Sequence, residues 1–194
     1  MGRRGYDGVR LGGGDEGGAV EAGRVLISEE EIAHRLREMG EEISRDYQGE
    51  RLLVVGVLRG AFMVMADLAR HISIPVEFDF MAVSSYGSST KTSGVVRILK
   101  DLDEEIAGRH VLLVEDIVDS GLTLDYLLRT LRLRNPSSIE LATLLLKEGT
   151  QQIPVEARYV GFRIGPEFVV GYGLDFDQLY RNLPYVGVLD EHSL

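Results

Sequence analysis

The sequence predicts an α/β fold: a mostly parallel, twisted sheet that is flanked by helices. Two observations support this class. Apolar runs of strand length, at residues 52–58 and 111–114, are continuous and lack the polar alternation of a sheet that faces water. The segments between such runs carry apolar residues three and four positions apart, as helices do. Strands and helices that alternate in this way are typical of parallel sheets covered on both faces.

The individual elements follow in order along the chain. Ser28 and Glu31 form a capping-box pattern, so the first helix begins there, with Ile32 and Leu36 on its apolar face. The remaining predicted elements are a strand over 52–58, a turn at 59–60, a helix over 61–70, strands over 76–83, 94–99 and 111–114, a helix around 124–131, and strands over 139–146, 157–161 and 168–174. In such sheets, ligands bind at the carboxyl ends of the strands.

Composition narrows the class of protein. The chain has 194 residues, and its Gly-rich residues 1–24 predict a disordered tail, which leaves residues 25–194 as a single domain. The absence of cysteine excludes disulfides, zinc–thiolate sites and thiol catalysis. A net charge of −10 argues against binding to nucleic acid. Since there is neither an apolar run of membrane-spanning length nor a secretory signal, we expect a cytoplasmic protein without a membrane partner.

One stretch of the chain combines features of phosphate and sugar binding. Glu115 and Asp116 follow the apolar run 111–114, Asp119 comes three residues later, and Ser-Gly-Leu-Thr then leads into a helix. Backbone N–H groups at a helix N-terminus attract phosphate. Three carboxylates would repel that phosphate unless some of them bind sugar hydroxyls or a divalent cation. A sugar phosphate with a metal ion satisfies both demands, and a surface loop with a hydroxyl cap is the plainer alternative.

This stretch resembles the signature with which type I phosphoribosyltransferases bind phosphoribosyl pyrophosphate (PRPP). From about Val25 to Asp190 the chain is similar to the hypoxanthine-guanine phosphoribosyltransferase family, with further matching segments at 56–60, 84–87, 95–103 and 168–175. The resemblance implies the type I phosphoribosyltransferase fold, with a small hood formed by terminal segments. It also implies Mg²⁺-dependent transfer of ribose 5-phosphate from PRPP to hypoxanthine or guanine, in purine salvage.

The resemblance implies roles for the acidic residues. Glu115 and Asp116 would hold the ribose hydroxyls and, through them, hydrated Mg²⁺, and Asp175 matches a further metal-site carboxylate beside the purine. Adjacent side chains of an extended strand point to opposite faces, so Glu115 and Asp116 would not both ligate one ion directly unless the chain turns there. Asp119 would be the general base that accepts the proton of purine N7. The 5′-phosphate would bind the loop of Asp119, Ser120, Gly121, Leu122 and Thr123.

Separate segments of the chain match the pyrophosphate-binding residues and the mobile loop of the family. Leu58–Arg59 and Gly60 match the pyrophosphate loop, in which the family has a non-proline cis peptide, and Arg59 stands where the family more often has lysine. Arg181 matches the arginine that contacts pyrophosphate. Ser85 and Tyr86 match the loop that closes over the site and excludes water from the reacting sugar.

The purine would be selected by Lys147. Its ammonium group only donates hydrogen bonds, so it pairs with the O6 of hypoxanthine or guanine and faces another donor in adenine. Phe168 would stack on the purine, and the backbone of Val169 would meet the base edge. Without the resemblance, Lys147 is most simply a solvated residue at a strand exit and Phe168 a core residue.

Two other functions remain open at this point. A regulatory protein on the same fold could sense PRPP or a nucleotide, although the acidic charge and the Gly-rich N-terminus do not favour DNA binding. An enzyme that acts on adenine or a pyrimidine is the second, which the Lys147 and Phe168 matches oppose. The resemblance also implies a homodimer or homotetramer.

Overall fold

The computed structural model describes residues 23–85 and 96–189. Its centre is a six-stranded sheet in which every neighbouring pair is parallel except the antiparallel pair at one edge. Across the sheet, the strands are β4 (Val96–Lys100), β3 (Val76–Ser85), β2 (Leu52–Leu58), β5 (His110–Val118), β6 (Ser138–Lys147) and β7 (Tyr159–Ile164). The predicted fold class is confirmed.

Helices cover both faces of this sheet. They are α1 (Glu29–Asp46), α2 (Phe62–Ala69) and α3 (Leu122–Arg132). Side chains alternate along β2, so Val54 packs in the apolar cluster that contains residues of α1 and α2, whereas Val55 packs in the cluster that contains residues of α3. The capping box is also confirmed, since Ser28 Oγ accepts a hydrogen bond from the Glu31 N–H (3.2 Å) and the Ser28 N–H donates to Glu31 Oε2 (2.8 Å).

A second, smaller sheet joins the two ends of the described chain. Its antiparallel strands are β1 (Val25–Ile27), β9 (Val186–Val188) and β8 (Val169–Val170), in that spatial order. The Arg24 carbonyl also accepts a hydrogen bond from the Val188 N–H (3.0 Å). These segments form the predicted hood. Residues 1–22, which make up most of the predicted tail, lie outside the described residues.

Among the predicted strands, two differ most in length from those of the structure. The strand predicted over 168–174 is only Val169–Val170, because the chain turns through positive φ angles at Gly171 (96°), Tyr172 (48°) and Gly173 (98°). In contrast, the strand predicted to end at Val114 continues to Val118, because β6 runs alongside and pairs Val118 with Leu146. Glu115 and Asp116 therefore lie within a strand.

None of the helices in the described ranges combines the length and hydropathy of a membrane-spanning segment.

Candidate active site

A cleft of about 630 Å³ opens at the carboxyl ends of β2, β3 and β5, where the fold class predicts a ligand site. Six predicted site residues line this cleft: Arg59, Gly60, Glu115, Asp116, Asp175 and Arg181. Other lining residues include Ser84, Leu99, Ile117 and Gln178. The structure thus brings together residues from five separate segments of the sequence.

Two carboxyl groups lie at the floor of the cleft. Glu115 is 8% exposed, and burial raises its pKa well above the ordinary value, with a further increase from the charge of Asp116. Burial also raises the pKa of Asp116 to about 6, although the Ile117 N–H donates to its Oδ1 (2.9 Å) and Arg181 acts in the opposite direction. In the described ranges, neither carboxyl forms an ion pair with a basic side chain within 4 Å. The pair would be stabilised in its ionised form by a cation or by hydroxyl donors.

The turn after β2 is built around a contact with this pair. The Leu58–Arg59 peptide bond is cis, as the resemblance implies. A Cβ atom on Gly60 would lie 1.7 Å from Asp116 Oδ2, so the carboxylate packs directly against the Gly60 backbone and any larger residue would displace it. Gly60 is thus required by a contact with Asp116, in addition to the pyrophosphate role predicted for it.

Basic and acidic groups form the rim of the cleft. Arg181 lies 2.6 Å from Asp175 Oδ1 through Nη2, and its Nη1 donates to the Gly173 carbonyl (2.7 Å). Gln178 accepts a hydrogen bond from Arg59 Nη1 (3.0 Å), and its backbone N–H donates to Asp175 Oδ2 (2.8 Å). The two predicted pyrophosphate arginines therefore occupy the same rim. Within the described ranges, no three acidic or histidine side chains cluster as a metal-binding group.

Lys147 and Asp119 form a second group at the neighbouring strand ends. Because β5 and β6 pair in register up to Val118 and Leu146, the next residues of the two strands are adjacent. Lys147 Nζ lies 3.2 Å from Asp119 Oδ2, and the lysine side chain is 10% exposed against 51% for the aspartate. The lysine is therefore a nearly buried donor held by a carboxylate, which rejects the reading of Lys147 as a solvated residue.

The loop between Asp119 and α3 is held in place by contacts with residues 152–153. The Ser120 carbonyl accepts hydrogen bonds from the backbone N–H groups of Gln152 (2.9 Å) and Ile153 (3.2 Å). Gly121 has a φ of 79°, and a Cβ there would lie 2.1 Å from the Ile153 carbonyl oxygen, so glycine is required. No side-chain cap is described for α3, which leaves the amides of its first turn for another acceptor.

Phe168 and Val169 begin the hood. Phe168 is 40% exposed and stacks edge-on against Phe176 with ring centroids 5.8 Å apart, so the reading of Phe168 as a core residue is wrong. Val169 is buried and pairs with Val188. Ser85 is the last residue of β3, and Tyr86 lies outside the described residues.

Comparison with known proteins identifies the family of this chain. Residues 27–177 match the family model described as the phosphoribosyl transferase domain. The hypoxanthine-guanine phosphoribosyltransferase of Mycobacterium tuberculosis is 56% identical over 172 residues, which cover 86% of this chain and 85% of that protein. The chain belongs to the hypoxanthine-guanine phosphoribosyltransferase family.

Other members of the hypoxanthine-guanine phosphoribosyltransferase family show the same relationship. The enzyme of that name from Bacillus subtilis is 52% identical over 166 residues, which cover 86% of this chain and 92% of that protein. A crystal structure of a hypoxanthine phosphoribosyltransferase from Staphylococcus aureus superposes with a TM-score of 0.84 at 45% identity, covering 87% of this chain and 92% of that chain. The relatives are thus similar in fold as well as in sequence.

Sequence reasoning missed two residues that this member of the family places at its site. Gln178 lies between Arg59 and Arg181, and Phe176 contacts Phe168. Both follow Asp175 closely, so proximity in sequence was the available signal. A lone glutamine carries no pattern of its own, and its position depends on a turn with positive φ at Gln178 (67°).

Proposed function

We propose that the chain is a hypoxanthine-guanine phosphoribosyltransferase, which makes IMP or GMP and pyrophosphate from a 6-oxopurine and PRPP. The observation that carries this proposal is the ion pair of Lys147 and Asp119, beside a cleft that contains a buried carboxyl pair and two arginines. One ligand meets all three features, namely a 6-oxopurine joined to a sugar that carries pyrophosphate.

The ion pair matches one edge of the purine. In hypoxanthine and guanine, O6 accepts hydrogen bonds and the neighbouring N7 carries a proton when N9 attacks. Lys147 donates and Asp119 accepts, and the two groups lie 3.2 Å apart, so they can bind O6 and N7–H side by side. Adenine presents an amino group at that position and would face a second donor. Phe168 and the Val169 backbone lie at the start of the hood, where they would bound the ring.

The carboxyl pair suits the ribose of PRPP. Glu115 and Asp116 would accept hydrogen bonds from the 2′- and 3′-hydroxyls, and hydroxyl donors relieve the cost of ionising buried acids. The same residues, with Asp175 on the rim, are the carboxylates that would hold Mg²⁺. When bound, Mg²⁺ neutralises charge on the pyrophosphate, and water and substrate oxygens would complete its coordination.

The 5′-phosphate would bind the loop from Asp119 to Thr123. Its backbone amides lie at the N-terminus of α3 and have no side-chain cap in the described structure. Ser120 and Thr123 add hydroxyl donors, and the contacts of Ser120 and Gly121 with residues 152–153 keep the loop in place before the phosphate arrives.

Bond cleavage follows from the charges around the pyrophosphate. Arg59 and Arg181 stabilise the negative charge that develops on it as the C1′–O bond breaks. Purine N9 then attacks C1′ from the opposite face. Asp119 accepts the N7 proton, so no positive charge remains on the base.

A panel of bases tests the proposal. The protein is mixed with Mg²⁺ and PRPP and with hypoxanthine, guanine, xanthine, adenine or uracil in turn, and nucleotide formation is followed by absorbance. We expect IMP and GMP, with adenine and uracil at least about 10³-fold less efficient by kcat/KM, since a mismatched donor leaves buried polar groups unpaired. Nucleotide formed from adenine as efficiently as from hypoxanthine would contradict the assignment of Lys147.

The family resemblance also supports a proposal about the assembly and the location of the protein. We propose a homodimer or homotetramer in the cytoplasm, and light scattering at micromolar concentration would measure the mass against the 21.5 kDa of one chain. A monomer at every concentration would contradict it.

A further inference from the structure

One polar side chain of the cleft has no part in the function proposed above. Gln178 lines the rim, and its Oε1 accepts a hydrogen bond from Arg59 Nη1 at 3.0 Å and lies 3.5 Å from Arg181 Nη2. Its backbone N–H donates to Asp175 Oδ2 at 2.8 Å. A single residue therefore contacts three of the charged side chains that surround the pyrophosphate end of the cleft.

We propose that Gln178 is a positioning residue, which holds the guanidinium groups of Arg59 and Arg181 side by side to receive pyrophosphate. This inference rests on the proposed function, which assigns the two arginines to that group. Arg59 lies on the turn after β2, 119 residues before Gln178, so the carboxamide joins two segments that no strand pairing connects.

Arg181 has more hydrogen-bond acceptors than Arg59 among the described residues. Arg181 is also bound by the Gly173 carbonyl (2.7 Å) and the Asp175 carboxylate (2.6 Å). For the exposed Arg59, Gln178 is the acceptor found among the described residues. Loss of the carboxamide should therefore release Arg59 while Arg181 stays in place.

For pyrophosphate binding, the absence of charge on the Gln178 carboxamide matters as much as its position. Two guanidinium groups and the carboxylate of Asp175 leave this rim with one net positive charge. A carboxylate at residue 178 would cancel that charge, bind both arginines more tightly and repel pyrophosphate. An amide oxygen orients the arginines and leaves their charge for the ligand.

Calorimetric titration with magnesium pyrophosphate tests the idea on the full chain without requiring turnover. Gln178→Ala should bind pyrophosphate about three- to tenfold more weakly, which is the usual contribution of one hydrogen bond. Gln178→Glu should lose about tenfold or more, although it keeps an acceptor at the same reach. Gln178→Asn suits the positive φ of 67° but is one methylene shorter, so it should behave like Gln178→Ala. Gln48→Ala, at an exposed glutamine far from the cleft, is the matched control and should bind like the wild type.

A double-mutant cycle shows whether Gln178 acts through Arg59. In an Arg59→Ala background, Gln178→Ala should cost less than about twofold, because the group it orients is gone. In turnover assays the same variants should raise the KM for PRPP and leave the KM for the purine and the melting temperature unchanged. A merely structural role in the loop would lower the melting temperature and raise both KM values.

The outcomes separate this inference from the function on which it rests. Equal pyrophosphate affinity in the wild type, Gln178→Ala and Gln178→Glu, or full additivity with Arg59→Ala, would overturn the role of Gln178. Wild-type protein that binds pyrophosphate with the expected variant effects but makes no nucleotide would overturn the proposed function and uphold the role of Gln178. Wild-type protein that does not bind pyrophosphate would overturn both.

Discussion

Two clefts of similar volume lie at opposite ends of the strands of the main sheet. The active-site cleft, about 630 Å³, lies at the carboxyl ends of the strands, and the other, about 590 Å³, lies at the amino ends. We call the second the amino-end cleft; it is lined by Gly49, Glu50, Arg51, Glu77, Gly108, Arg109, His110 and Ser137. Both are rich in charged side chains, so neither volume nor polarity distinguishes them.

The two clefts differ in how their charges are neutralised. In the amino-end cleft, Glu77 pairs with both Arg51 (2.9 Å) and Arg109 (2.8 Å), and Glu50 lies 3.6 Å from His110. In the active-site cleft, the buried Glu115 has a raised pKa and no basic partner in the described structure. Charges that satisfy one another form a stable surface, whereas a buried acid without a basic partner has a cost that a ligand can relieve.

The largest expected effect is at Asp119. Asp119→Asn should lower kcat by about 10²–10⁴, the usual contribution of a general base, and leave the fold intact. Stopped-flow or steady-state absorbance assays measure it. Asp46→Asn, which alters an aspartate that binds Arg158 and Tyr159 away from both clefts, is the matched control. An unchanged kcat in Asp119→Asn would remove this residue from the mechanism and weaken the contrast between the clefts.

The next effect concerns the choice of purine. Lys147→Met keeps the length of a nearly buried side chain but removes its charge. We expect the KM for hypoxanthine and guanine to rise about 10- to 100-fold, as for a lost hydrogen bond from a charged donor, with less than about threefold change in the KM for PRPP. Equal increases in both KM values would show that Lys147 supports the site as a whole and does not read the base.

The carboxyl pair predicts a pH dependence with a definite sign. Since the folded-state pKa values of Glu115 and Asp116 are both raised, this pair favours the ligand-free fold most below about pH 4. The contribution of Asp116 is lost as the pH rises through about 6. Binding of magnesium PRPP needs ionised Asp116, so this residue alone should lower the affinity about tenfold between pH 7 and pH 5.

Proton release during calorimetric titration measures this linkage. Titrations in buffers of different ionisation enthalpy should show proton release from Asp116 near pH 6. Asp116→Asn serves to subtract the titration of the ligand's own phosphates, and a wild-type profile equal to that of the variant would refute the raised pKa of Asp116.

The smallest effect is expected in the amino-end cleft. Glu77→Gln removes two ion pairs, one with an arginine side chain that is 86% exposed, and should reduce the free energy of unfolding by no more than about 1 kcal/mol. Denaturant unfolding measures it, and kcat and both KM values should not change. A loss of activity would show that the amino-end cleft and the active-site cleft are coupled.

Much of the fold follows from local patterns in the sequence. The capping box of Ser28 and Glu31 depends on a spacing of three residues, and the apolar spacing that continues to Leu36 is decided within one helix. The length of β5 depended on β6, a distant partner, and that prediction failed. The strand predicted over 168–174 was also too long, because Tyr172 and Leu174 are buried in turns of the hood and not in a strand.

The candidate site likewise combines features set by local sequence patterns with features set by tertiary contacts. The sequence by itself determined which residue types are present, namely the carboxylates of 115–119, the predicted phosphate loop before α3 and the lysine that ends β6, because each is a short contiguous pattern. Only the tertiary structure decided that Lys147 meets Asp119, that Gln178 meets Arg59, and that Glu115 is buried enough to raise its pKa. Contacts between distant segments, and the desolvation that shifts a pKa, exist only once parallel strands bring their ends together and exclude water.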